Sequence, residues 1–389
     1  MIQGILDNDL YKFTMQQAVH MLYPRVDAEY IFINRSGTPF PAGFAERLKA
    51  EIRNMPAFRL TSEEKHYLDK TCYFMTPVYI DFLQHYQYDP DEVTIEQKNG
   101  ELDIIIKGPW YRTILWEVPL MAMISELYFV MTNAEILPHE KLKAINLNKA
   151  TVLSKNKIRF ADFGTRRRFS SASHMALIQD IKGVKNSTLI GTSNVNLAKY
   201  FNIKPIGTLA HEWFMFHAVL NGYRMANRTA IDAWAQVFHG SLGIALTDTY
   251  TTDIFLETFD TMQAKLFDGV RHDSGDPLEF IEKIIRHYEK LHIDPTTKTI
   301  VFSDGLDIDK AVIIHNTCKG RIRDSYGIGT NLTNDVGVTP LNIVIKMSKC
   351  RTAPDKPWHN VVKLSDNIAK HTGDEEELIH CINVLQRGF

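Results

Sequence analysis

The alternation of hydrophobic and polar positions changes character about a third of the way along the chain. Up to about residue 120 it is mixed, with helical spacing over 10–22 and 42–53 and strand-like alternation over 28–34. Two more strands are predicted over 92–97 and 102–107, the second carrying consecutive isoleucines. Asn99-Gly100 between them is a hairpin turn signal, so this part of the chain predicts an antiparallel α+β module.

From about residue 121 the pattern becomes short apolar runs, each closing on a Gly-rich or polar cluster and followed by a helix-like segment. That is the signature of βα units. At least six occur, over 159–164, 188–192, 205–208, 242–248, 266–271 and 299–304, with a seventh over 325–330. Repeated units of this kind form a barrel or an open doubly wound sheet, and both collect ligands at the carboxyl ends of the strands. The barrel is favoured, because no Gly-x-Gly-x-x-Gly follows the first strand and polar clusters end nearly every strand. Strand-like stretches over 341–347 and 360–364 then return to the first module. The fold class is therefore read as α/β: an irregular, TIM-like α/β barrel over 121–340, with an N-terminal α+β domain (1–120) completed by C-terminal strands (341–389).

Composition narrows the function. A chain of 389 residues, 44% hydrophobic and 23% charged, is long enough for a large core and two domains. Its net charge of −2 provides no global field for nucleic acid or an anionic membrane, so any anion site must be local. The four cysteines show no metal-ligand or redox spacing. The N-terminus lacks a basic and an apolar region, and the greasiest stretch, 113–131, is interrupted by Glu117, Pro119 and Glu126. A cytoplasmic protein without a membrane span is expected.

Five clusters at strand ends carry candidate chemistry. Gly164-Thr165-Arg166-Arg167-Arg168 offers forked donors for a diphosphate, or equally a solvated charge run, and alternation forbids all three arginines from pointing one way. Arg271-His272-Asp273-Ser274-Gly275-Asp276-Pro277 combines a cation, two carboxylates and a hydroxyl; Asp276 also suits the N-cap of a helix starting at Pro277. Ser303-Asp304-Gly305 and Gly327-Ile328-Gly329-Thr330 are late strand ends of the type that hold phosphate on backbone N–H groups, or simply tight turns. Gly207-Thr208-Leu209-Ala210-His211 puts a histidine one turn past a strand, where it is a packed residue or a base, nucleophile or phosphoryl acceptor. No P-loop, nucleophile elbow or His-Glu-x-x-His occurs.

Taken in order with Asp7-Asn8-Asp9-Leu10-Tyr11-Lys12 and Gly191-Thr192-Ser193-Asn194, these clusters resemble the nicotinate phosphoribosyltransferase family. The resemblance implies joining of nicotinate to phosphoribosyl pyrophosphate, coupled to ATP hydrolysis, with Mg²⁺ as cofactor. It implies a phosphohistidine at His211 and nicotinate contacts from Tyr11, Thr208 and Arg271, with Tyr11 reaching in from the second subunit of a homodimer. Phosphosugar contacts fall on Arg166, Asp273, Ser303, Gly305, Gly329 and Thr330, and Asp273 is the metal candidate. A nicotinamide phosphoribosyltransferase, another phosphosugar-processing barrel enzyme, or a non-catalytic binding protein are the competing readings.

Overall fold

The structure is a computed structural model, and it describes residues 1–386. The N-terminal third contributes strands β1 (Asp27–Asn34), β2 (Val93–Lys98) and β3 (Glu101–Pro109). The middle contributes β4 (Phe160–Asp162), β5 (Leu189–Thr192), β6 (Ile244–Leu246), β7 (Gly269–His272), β8 (Thr299–Phe302) and β9 (Arg323–Ile328). Two strands follow late in the chain, β10 (Ile343–Arg351) and β11 (His359–Asn360).

β1, β2, β3, β10 and β11 form an antiparallel sheet in the order β11-β10-β1-β3-β2. The predicted hairpin joins β2 to β3: Asn99 and Gly100 both take positive φ, 53° and 81°, which a two-residue turn with the right twist demands. The returning strand β10 pairs with β1 from Asp27↔Arg351 to Asn34↔Ile343, and Arg351 Nη2 lies 2.6 Å from Asp27 Oδ2 at one end of the ladder. Of the expected strand over 360–364, only Asn360 falls in β11, which pairs with β10 through His359 and Asn360.

The second sheet is parallel, in the order β5-β4-β9-β8-β7-β6. Its two edges approach each other through the extended segment 205–208. Thr192 at the end of β5 bridges Pro205 in parallel, and Thr208 Oγ1 donates to Ile244 O of β6 at 3.3 Å. The run expected as a strand over 205–208 is thus a short connector that closes an irregular barrel. The run over 266–271 divides instead: Leu266 ends a helix, and β7 begins at Gly269.

The core explains why the strand ends are rigid. The helix Glu117–Met131 is buried almost throughout, and the apolar stretch Trp110–Met131, long enough by composition to cross a membrane, is 78% buried inside the fold. The helix His211–Asn221 buries Trp213, Phe214 and Phe216, and Trp213 meets Trp234 edge-on at 5.7 Å. Trp213 Nε1 donates to Ala230 O at 2.8 Å, so its polar edge is satisfied as well. This anchoring holds the first residue of that helix, His211, at the strand-end face.

Candidate active site at the strand ends

The Asp7-Asn8-Asp9 segment clamps the first helix onto the barrel. Arg168 donates to both oxygens of Asp7, at 2.8 and 2.9 Å, and Asn194 Nδ2 donates to Asp7 Oδ1 at 2.8 Å. Asp9 Oδ1 accepts from Ser193 Oγ at 2.8 Å. Arg168 is therefore a buried structural arginine, whereas Arg166 and Arg167 face cavities. The three arginines do diverge, but not by strand alternation: Thr165–Arg167 is a short 3-10 turn, which leaves Arg166 and Arg167 towards the cavities and buries Arg168 after it.

Two adjoining cavities open at the carboxyl ends of the strands, with about 1070 and 1330 Å³ of space including their mouths. Tyr11, Thr208 and His211 line the first; Ser303, Gly305, Gly329 and Thr330 line the second; Phe163, Arg166, Arg271 and Asp273 line both. Two glycines permit the close approaches here. A Cβ on Gly207 would sit 2.8 Å from the Tyr11 backbone nitrogen, and one on Gly327 would sit 2.3 Å from the Phe163 ring. Tyr11, expected to act from a second subunit, lies on the wall of its own chain's cavity, where its hydroxyl donates to Glu117 at 3.2 Å.

Arg271 is fixed from several sides. Its Nε donates to Ser303 Oγ at 2.8 Å and its Nη2 to Asp273 Oδ1 at 2.8 Å. Ser303 Oγ also lies 2.8 Å from Asp273 Oδ1. Burial raises the pKa of Asp273, but the Arg271 charge first, then the hydrogen bond from His211 and the Lys363 charge, outweigh it and hold the carboxylate ionised. The neighbouring Asp276 does cap the following helix, accepting from the backbone of Leu278 and Glu279.

His211 is the centre of a second cluster. Its Nδ1 lies 3.0 Å from Thr249 Oγ1, and its Nε2 lies 3.0 Å from Asp273 Oδ2 and 2.9 Å from Lys363 Nζ. Burial first, and then the Lys363 charge, lower its pKa to about 4. The imidazole is therefore neutral near pH 7, the state in which it is a nucleophile or base.

Sequence reading missed several residues of this site. Lys363 lies beyond β11 and bridges His211 to Asp248, 3.3 Å away. Lys346 on β10 lines the first cavity; among the described residues its ammonium has no hydrogen bond or ion pair, and burial lowers its pKa to about 8. Lys370 reaches Asp304 and the Asp273 carbonyl oxygen, the latter at 3.2 Å. Each is a lone lysine in the C-terminal stretch, and only the return of that stretch to the first sheet brings it here. Glu117, read as a break in an apolar run, belongs to the wall of the first cavity.

His211, Asp248 and Asp273 also bring three candidate metal-ligand atoms within 4.8 Å of one another. Asp248 Oδ1 is buried without a hydrogen-bond partner, and carboxylate oxygens are the donors a hard cation such as Mg²⁺ prefers. The Lys363 ammonium already stands between His211 and Asp248, so the free donor capacity lies on the carboxylate side of the cluster.

Comparison with known proteins decides the family. Residues 158–388 match the model of the nicotinate phosphoribosyltransferase (NAPRTase) family, and residues 6–125 match its N-terminal domain. The chain belongs to the nicotinate phosphoribosyltransferase family. It is 76% identical to the nicotinate phosphoribosyltransferase of Desulforapulum autotrophicum over the full length of both, and 48% identical to that of Chromohalobacter salexigens, again over both full lengths. The crystal structure of nicotinate phosphoribosyltransferase from Porphyromonas gingivalis superposes with a TM-score of 0.97 at 45% identity, covering 99% of this chain and 100% of that one. A structure described as a putative nicotinate phosphoribosyltransferase from Saccharomyces cerevisiae gives 0.93 at 35% identity, covering 100% and 99%. Membership of this NAPRTase family makes the chain an enzyme, and its α/β fold is the one those structures share.

Proposed function

We propose that this enzyme joins nicotinate to 5-phosphoribosyl 1-pyrophosphate, releasing nicotinate mononucleotide and pyrophosphate, and couples the step to ATP through phosphorylation of His211. The observation that carries this reading is the pair of adjoining cavities that share Arg166, Arg271 and Asp273, with His211 on the wall of the first. Nicotinate sits in the first cavity, between Tyr11 and Thr208, with its carboxylate on Arg271. The phosphosugar sits in the second, on Ser303, Gly305, Gly329 and Thr330.

The chemistry follows from charge. Cleavage at the anomeric carbon leaves the sugar positive and the diphosphate negative, and Arg166, on the wall the two cavities share, is the cation suited to that negative charge. The pyridine nitrogen is already a nucleophile, so the site has to align it rather than deprotonate it. Mg²⁺, held by Asp273, would supply further neutralisation of the diphosphate. Neutral His211 accepts the phosphoryl group of ATP, and the adjacent Lys363 stabilises the charge it gains. We place the enzyme in the cytoplasm as a homodimer, in which each chain carries its own Tyr11.

The test supplies the purified enzyme with phosphoribosyl pyrophosphate, Mg²⁺ and ATP, and with nicotinate, nicotinamide or quinolinate in turn. Pyrophosphate release with nicotinate is expected; release with nicotinamide or quinolinate alone would refute the assignment.

A further inference from the structure

Glu117 stands at the first residue of an apolar helix and is only 7% exposed. A carboxylate in such a place is costly unless it is paired. Its partners come from two distant segments that meet over the first cavity. The Tyr11 hydroxyl donates to Oε2 at 3.2 Å, Lys12 Nζ lies 2.5 Å from the same oxygen, and Arg166 Nη1 donates to Oε1 at 3.1 Å. Lys12 also pairs with Glu212, the neighbour of His211, and the second oxygen of Glu212 accepts from the Tyr30 hydroxyl at 2.5 Å.

An ion pair that served stability alone would be complete with Lys12. The second oxygen of Glu117 is instead given to Arg166, whose remaining N–H groups make no other hydrogen bond among the described residues. One carboxylate thereby sets the orientation of the tyrosine on the nicotinate wall and of the arginine on the diphosphate wall.

We propose that Glu117 is a positioning residue that couples the two substrate subsites, acting through Tyr11 and Arg166 without contact with the reacting atoms. This rests on the assignment of Tyr11 to nicotinate and Arg166 to the phosphosugar. Loss of the Tyr11 hydroxyl leaves Oε2 of Glu117 to Lys12 alone, so the carboxylate shifts towards that ammonium and draws the Arg166 guanidinium with it. The consequence is a cross-effect: a change on the nicotinate wall alters binding on the diphosphate wall.

The experiment measures KM for both substrates in wild type, Tyr11→Phe and Glu117→Asp. Tyr11→Phe keeps the ring and removes only the donor to Glu117, so it folds and decides the matter alone if Glu117→Asp does not. Tyr11→Phe is expected to raise the KM for phosphoribosyl pyrophosphate as well as that for nicotinate, by about three- to tenfold, the scale of one hydrogen bond to a charged group. Glu117→Asp keeps the charge but retracts it by one methylene; it raises both KM values by about tenfold, and Tyr11→Phe added to it leaves the phosphosugar KM where Glu117→Asp put it. A Tyr11→Phe enzyme in which only the nicotinate KM moves would overturn the proposal, as would a Glu117→Asp enzyme with both KM values unchanged. A wild-type enzyme that forms no nicotinate mononucleotide would instead count against the reading of the site.

Discussion

The ammonium nitrogen of Lys363 lies 2.9 Å from Nε2 of His211. Two cations cannot share that distance comfortably, so the neighbouring lysine charge disfavours the imidazolium. Burial and this neighbour together lower the histidine from its ordinary 6.5 to about 4. NMR of labelled imidazole should show His211 neutral at pH 6, with a midpoint that rises in Lys363→Met. A wild-type midpoint at or above 6.5 would contradict the arrangement. The sign for stability follows: the unfolded histidine takes up a proton below 6.5 and the folded one only near 4, so His211 contributes a loss of stability as pH falls through that window and no further loss below it.

Lys12 is fully buried between Glu117 and Glu212. Lys12→Met removes the charge that both carboxylates face. Breaking a buried pair from one side costs about 3–5 kcal/mol, because the remaining charge is left uncompensated. Urea unfolding should register a loss of that size. A loss below about 1 kcal/mol, the scale of an exposed pair, would show that water reaches the cluster.

Gly207 lies where a side chain would meet backbone rather than a flexible side-chain tip. In Gly207→Ala the new Cβ would sit 2.8 Å from the Tyr11 nitrogen, and relief requires the first helix to move away from Thr208. The expected result is a higher KM for nicotinate together with a melting temperature lower by about 1–3 °C, as a loss of about 1–2 kcal/mol produces in a chain of this size. Unchanged nicotinate binding would separate Tyr11 from the substrate.

Arg271→Lys keeps the charge but cannot hold Ser303 and Asp273 while also presenting a planar fork to a carboxylate. The KM for nicotinate should rise by about tenfold or more, with a smaller change for phosphoribosyl pyrophosphate. Equal changes in both would assign the arginine to the phosphosugar.

The fold was readable because its elements carry local signals. The helix over 10–22, the Asn99-Gly100 hairpin and most strand ends announce themselves through periodicity and turn chemistry, and the glycine-rich and arginine-rich clusters follow those strands directly. What stayed hidden depends on distant pairing. Lys346 and Lys363 occupy ordinary positions in strand-like sequence; the return of that sequence to the first module was legible, but nothing local says that it carries Lys346 to the first cavity and Lys363 to His211. Glu117 was hidden for the converse reason, since a single acid in an apolar helix reads as an interruption until its partners at Tyr11, Lys12 and Arg166 are seen. That the three arginines would diverge was legible, but the 3-10 turn that separates Arg168 from its neighbours, and its partner Asp7, were not.

The most direct test of the account is phosphoryl transfer from ATP labelled at the γ position, followed by location of the label in the digested protein. The account predicts an acid-labile label on the peptide carrying His211, absent from His211→Ala, and discharged as nicotinate mononucleotide forms. Label that survives His211→Ala, or that persists through turnover with nicotinate and phosphoribosyl pyrophosphate, would contradict it.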